Sequence, residues 1–137
     1  MRLTDHTDYS LRVLMYLNQE RRLATLNEIS KKLAISKNNL IKVSNQLAKL
    51  DLISTSRGRA GGLRIKDSAG DRTLKDIVSS TEETFYISEC FSAESSQCPF
   101  LPSCFLKKSL SEAFQAFLTS LAQKTLNDVT PKTLKKR

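Results

Sequence analysis

The sequence predicts a mostly α fold, a winged helix-turn-helix followed by a long C-terminal helix. Three observations carry that prediction. Capped apolar repeats at helical spacing fill the first 50 positions, a Gly-rich tip then separates two short strand-like segments, and an apolar stripe resumes after Cys104. A length of 137 residues suits one domain with an appendage. With 39% apolar and 26% charged residues, the chain is too hydrophobic for a disordered tail and too interrupted for a membrane protein. No run reaches the ~18 apolar residues of a spanning helix, so no membrane partner is expected. Leu11–Leu17 is apolar, but Arg12 lies within it and Asp5 and Asp8 precede it, which argues against a secretion signal.

The first helix is signalled by Thr4 and Thr7 as caps, by Asp5 and Asp8 at its positive end, and by Tyr9, Leu11, Leu14, Met15 and Leu17 along one face. Thr25-Leu-Asn-Glu28 is a capping-box pattern, with Glu28 able to reach back, and it opens a short second helix with Leu26, Ile29 and Leu33 inward. Ala34-Ile35-Ser36 makes a tight connection. Ser36 caps a third helix whose apolar positions are Leu40, Val43, Leu47 and Leu50. Leu52–Ser56 and Leu63–Ile65 then read as the two strands of a hairpin around the tip Arg57–Gly62.

The outer face of the third helix carries Asn38, Lys42, Asn45 and Lys49, with Lys37 and Asn39 in its first turn. Amides and cations reach base edges and phosphates, and two short helices with a three-residue turn place the second in a major groove. An ordinary amphipathic hairpin is the bland alternative. The hairpin wing favours the first reading: its glycines permit positive φ and close backbone approach, and Arg57 and Arg59 suit a narrow minor groove. A nucleotide cradle is disfavoured, because no GxxxxGK[ST] or GxGxxG pattern is present. Residues 1–66 hold thirteen bases against five acids, so the whole formal charge of +8 lies in the first half. Double-stranded DNA is the polyanion this half expects, although a basic surface also serves solubility.

Thr73-Leu-Lys-Asp76 caps a short helix with Leu74, Ile77 and Val78 inward. Glu82–Ser103 lacks periodicity and reads as a loop. From Cys104 the stripe Leu106, Leu110, Ala113 or Phe114, Phe117 and Leu121 is helical, and Phe105 and Leu118 widen it beyond what one small domain covers. Dimerisation is the reading, with completion of the chain's own core as the alternative for part of it. The divisions are 1–80 for a DNA-binding domain, 81–104 for a cysteine-bearing loop, 105–127 for a dimerisation helix and 128–137 for a basic, frayed tail.

All three cysteines fall in Cys90-x7-Cys98-x5-Cys104. An odd number cannot pair fully within one chain, and a reducing cytoplasm is the expected compartment. Three soft ligands on one loop suit zinc or an iron–sulfur cluster. Zinc sites usually contain a C-x2–4-C pair, which is missing, and the wide gaps favour a larger object. A thiol switch and three inert cysteines are the alternatives. An enzyme with a cysteine nucleophile needs a base, and the only histidine, His6, lies far away in sequence.

Four segments together resemble the winged-helix iron–sulfur regulators, the family of the NsrR-type nitric-oxide-sensing repressors and the IscR-type regulators of cluster assembly. They are the opening Met1–Leu14, the segment Ser36–Val43, the wing Arg57–Leu63 and the cysteine loop ending at Cys104. The resemblance spans nearly the whole chain and implies a homodimeric, non-enzymatic repressor that reads an inverted-repeat operator and responds to nitric oxide. It further implies an iron–sulfur cluster, [4Fe-4S] or [2Fe-2S], on Cys90, Cys98 and Cys104. In the cluster-assembly branch the fourth ligand is a histidine three positions beyond the last cysteine, where this chain has Lys107. The nitric-oxide branch takes a carboxylate from the first helix of the other subunit, and Asp8 stands at the matching position. Without that resemblance Asp8 is simply an acid at a helix start. The seven-residue first gap is longer than the family's usual one.

Overall fold

The computed structural model describes residues 2–92 and 97–133. Its elements run α1 (Asp5–Glu20), α2 (Leu26–Leu33), α3 (Lys37–Lys49), β1 (Ile53–Ser56), β2 (Gly62–Ile65), α4 (Leu74–Thr81), α5 (Phe105–Ala122) and α6 (Leu126–Val129). The architecture is a winged helix-turn-helix with a long C-terminal helix. Short 3-10 segments lie at Asp67–Asp71 and Glu89–Phe91. The part of the cysteine loop at 93–96 and the end of the basic tail, 134–137, lie outside the described residues.

Hydroxyl caps start the helices where the sequence places them. Thr4, Thr25, Ser36 and Thr73 each accept a hydrogen bond from a backbone N–H three residues on. The reciprocal half of the box at Thr25 does not form, because the Glu28 carboxylate is taken by Tyr16 and Arg22. Val13, Leu14 and Leu17 of α1, Ile29 of α2 and Leu40, Val43 and Leu47 of α3 meet in one core with Leu63 and Ile65 of the wing and Ile77 of α4. Tyr9, Leu11 and Met15 pack only on its edge, since Val13 and Tyr16 take the inward face of α1.

β1 and β2 pair antiparallel, Ile53 opposite Ile65 and Ser56 opposite Gly62. The hairpin is extended by a backbone bridge from Leu63 to Ala24, just before α2, with N···O distances of 2.8 and 2.9 Å. The wing is therefore hydrogen-bonded to the chain just before α2.

The C-terminal third departs from expectation. α5 ends at Ala122 rather than continuing to 127, and the chain turns back through Gln123 and Lys124 into α6. The tail expected to fray from 128 is docked as far as Thr130. Leu126 is fully buried, a capping box joins Thr125 and Asp128, and Asn18 of α1 donates to Asn127 and Thr130 at 3.0 and 2.9 Å. Meanwhile α5 has no buried residue, and Phe105 and Leu106 at its start are 84% and 67% exposed. Among the described residues no helix is long and apolar enough to cross a membrane.

Candidate functional site

The helix-turn-helix is closed by backbone conformation as much as by packing. Ala34 takes a left-handed φ of 53°, Ile35 inserts into the core as the anchor of the turn, and Ser36 begins α3 at once. A groove of about 560 Å³ opens between α3, the start of α2 and the wing. It brings together Lys37, Asn45, Arg57 and Arg59 of the residues expected from sequence. Asn38, Asn39 and Lys42 do not line it. Asn38 and Lys42 are exposed about 100° further round the helix, and Asn39 is half-buried.

The groove also contains residues the sequence reading missed: Thr25 and Asn27 at the start of α2, Ile41 on α3, and Thr55 and Ser56 on β1. A signal for Ile41 existed, since Lys37, Ile41 and Asn45 recur every four residues along one helical face. At the wing tip Gly58 has φ 103°, which a side chain rarely adopts, and Gly62 lies so close to Ala24 that a Cβ would fall 2.4 Å from its carbonyl oxygen.

Electrostatically the groove is an unneutralised cationic surface. Among the described residues Lys37, Arg57 and Arg59, and Lys42 outside the groove, form no ion pair, whereas Lys66 is matched to Asp51 and Arg22 to Glu20 and Glu28. Behind the groove the forked Arg22 guanidinium, with the Tyr16 hydroxyl at 2.7 Å, holds the Glu28 carboxyl down to about 2. Burial, reinforced by that hydrogen bond, pushes the Tyr16 phenol up. This cluster fastens α1 to α2 and leaves the cations of the outer face as the free charge.

The three thiols line a second feature, a cleft of about 500 Å³ walled by Phe100, Leu106 and Leu110. Cys104 is the N-cap of α5, its Sγ accepting from the Lys107 N–H at 3.4 Å. Cys90 sits in the 3-10 turn with its Sγ 3.2 Å from the Ser88 hydroxyl, and Cys98 is exposed. All three are free. Glu89 is the carboxylate in the cleft, a neighbour that spacing alone did not suggest. Soft thiol donors in an apolar recess fit a soft metal centre in kind. Among the described residues, however, no three His, Cys, Asp or Glu side chains are gathered closely enough to hold one metal ion.

Asp8 does not reach this cleft within its own chain. It is exposed in the first turn of α1 and pairs with Arg12 at 3.3 Å. The same Arg12 donates to the Leu33 carbonyl at the end of α2. His6 is bonded to Gln46 of α3, Gln46 donates to the Ser80 carbonyl at 2.8 Å, and Thr4 donates to the Glu82 carboxylate at 3.1 Å. The first turns of α1 are thus tied to the turn before α3, to α3 itself and to the end of α4.

Known proteins share this arrangement. The profile of the Rrf2 family, described as "Iron-dependent Transcriptional regulator", matches residues 3–132. The chain is 43% identical to the HTH-type transcriptional regulator NsrR of Bacillus subtilis, over 94% of this chain and 90% of that one. It is 39% identical to protein aau3 of Rhizobium meliloti, over 94% and 84% respectively. In fold it is similar to oxidized CymR of Staphylococcus aureus, with a TM-score of 0.74 at 20% identity over 98% of this chain and all of that one. The IscR of T. potens gives a TM-score of 0.69 at 18% identity over 93% and 85%. Since the profile and the sequence relatives each span nearly the whole chain, it belongs to the Rrf2 family of transcriptional regulators, which are not enzymes.

Proposed function

We propose that the chain is a homodimeric repressor that grips an inverted-repeat operator in double-stranded DNA and releases it in response to nitric oxide, sensed through an iron–sulfur cluster ([4Fe-4S] or [2Fe-2S]). The observation that carries this reading is the single cleft lined by every thiol of the chain at the foot of a helix with no buried residue. Cys90, Cys98 and Cys104 would supply three ligands, and Asp8 of the partner subunit the fourth. Bound there, the cluster would supply iron with affinity for nitric oxide. The relative named NsrR supports this branch of the family.

The DNA-facing residues are Lys37, Asn38, Asn39, Lys42 and Asn45 of α3 with Arg57 and Arg59 of the wing. Cations there neutralise phosphates and amides read base edges. In a dimer built on α5, two copies of α3 stand about one DNA turn, ~34 Å, apart. Asp8 lies on the same helix as Arg12 and His6, which hold the helix-turn-helix. A ligand bond from Asp8 to the other subunit would therefore restrain the spacing of the two reading helices, and its loss would free them.

Purification without oxygen tests the cofactor. The expected product is coloured, with equal iron and sulfide, and the variant with Cys→Ala at all three positions is colourless. A colourless native protein containing only zinc would overturn the cluster. The thiols being free and not gathered around one point favours a second reading, a metal-free thiol switch. Its mark would be a colourless protein whose operator affinity changes on oxidation.

A further inference from the structure

Ile41 is 46% exposed in the middle of the outward face of α3, one turn after Lys37 and one turn before Asn45. The other exposed large apolar side chains among the described residues, Leu23, Tyr86, Phe100, Phe105 and Leu106, lie outside the groove between α3 and the wing. Ile41 lines that groove. Leaving half an isoleucine in water forgoes stabilisation that burial would supply, and its neighbours on this face are a cation and an amide. Lys37 and Asn45 offer donors and acceptors to a nucleic acid; Ile41 offers only methyl groups. On the edges of the bases in a major groove the matching apolar feature is the C5-methyl of thymine.

We propose that Ile41 is a specificity-determining residue that packs on the C5-methyl of one thymine in each half of the operator. The proposal rests on the operator-binding reading above and adds to it which base is read and by what chemistry. Ile41 and Asn45 are separated by about 6 Å along the helix, within about two base-pair steps of a duplex. The thymine should therefore lie within about two base pairs of the base that Asn45 contacts, and adenine is the base an asparagine amide matches.

The test uses the full chain and a duplex enriched by it from a random-sequence library, with each thymine replaced in turn by deoxyuridine, which lacks only the methyl. One thymine per half-site should show a loss of about fourfold in affinity, the worth of one methyl removed from contact. In Ile41→Ala the same replacement should change nothing, while thermal unfolding stays that of the native chain. If no thymine is sensitive, or if the sensitive one costs Ile41→Ala as much as the native chain, the proposal is overturned. Arg59→Ala on the same duplex separates the two levels. If it still lowers affinity and salt dependence, operator binding stands and only the role of Ile41 falls; if no duplex is enriched at all, both fall.

Discussion

Gly62→Ala probes how the wing is fastened to the reading helices. The added Cβ would lie 2.4 Å from the Ala24 carbonyl oxygen and 2.8 Å from its carbon, and both are backbone atoms that cannot swing aside. Relief requires Leu63 and Ala24 to part, which breaks the reciprocal hydrogen bonds at 2.8 and 2.9 Å, worth about 1 kcal/mol each. Ala24 and Leu63 are 0% and 4% exposed, and loosening their packing adds on the order of 1 kcal/mol. The sum is about 3 kcal/mol, a fall of about 10 °C in melting temperature for a domain of this size. β1 and β2 remain paired beyond the site, so the variant stays folded and its DNA affinity falls as the wing tilts. Gly58→Ala is the control. Its Cβ meets nothing within 4 Å, so only the φ of 103° opposes it, at about 1 kcal/mol. Thermal unfolding followed by circular dichroism reads both. A Gly62→Ala melt within about 2 °C of the native chain would refute the close-approach argument.

Other perturbations follow from the same structure. Leu126→Ala removes a fully buried side chain and should cost ~2–5 kcal/mol by urea unfolding; a cost near zero would mean that α6 is not docked on the core. Glu28, held at about 2 against an ordinary 4.5, contributes stability that is complete above pH 4.5 and is lost as pH falls through 2. Glu28→Gln should therefore flatten the acid limb of the urea midpoint between those values, and unchanged slopes would count against the pairing. Arg59→Ala should reduce the slope of log affinity against log salt by about one if the wing touches phosphate; an unaltered slope removes that contact. Asp8→Ala deletes an exposed ion pair worth at most about 1 kcal/mol, so the fold should survive while bound iron becomes more labile. Iron loss from Glu89→Ala and not from Asp8→Ala would instead place the fourth ligand inside the cleft of the same chain.

What could be read from the sequence follows from how local each signal is. Thr4, Thr25, Ser36 and Thr73 marked helix starts correctly because a hydroxyl cap acts over three residues and needs no tertiary partner. Gly58 and Gly62 were legible for the same reason, as positions where a turn or a close approach requires no Cβ. Glu28 was misassigned because its competitors, Tyr16 and Arg22, come from α1 and the segment after it, and a distant hydroxyl and guanidinium outbid a neighbouring N–H. The end of α5 is overrun because no Gly or Pro directly follows the stripe that ends at Leu121; the break at Gln123–Lys124 brings Leu126 into the core beside Asn18, which only the fold creates. In the site, Lys37, Asn45, Arg57 and Arg59 were found by charge and polarity. Ile41, Thr25 and Glu89 were not, because their relevance comes from the groove or cleft they line rather than from residue type.

If a metal centre on the thiols governs the grip on DNA, loss of the centre and loss of the duplex coincide. Titrating nitric oxide, without oxygen, into the native protein bound to its enriched duplex, with visible absorption and the bound fraction recorded together, reads both at once. The duplex should be released in step with the spectral change, and Cys104→Ala should show neither. Release with no spectral change, or undiminished binding after iron has been removed, would contradict that coupling.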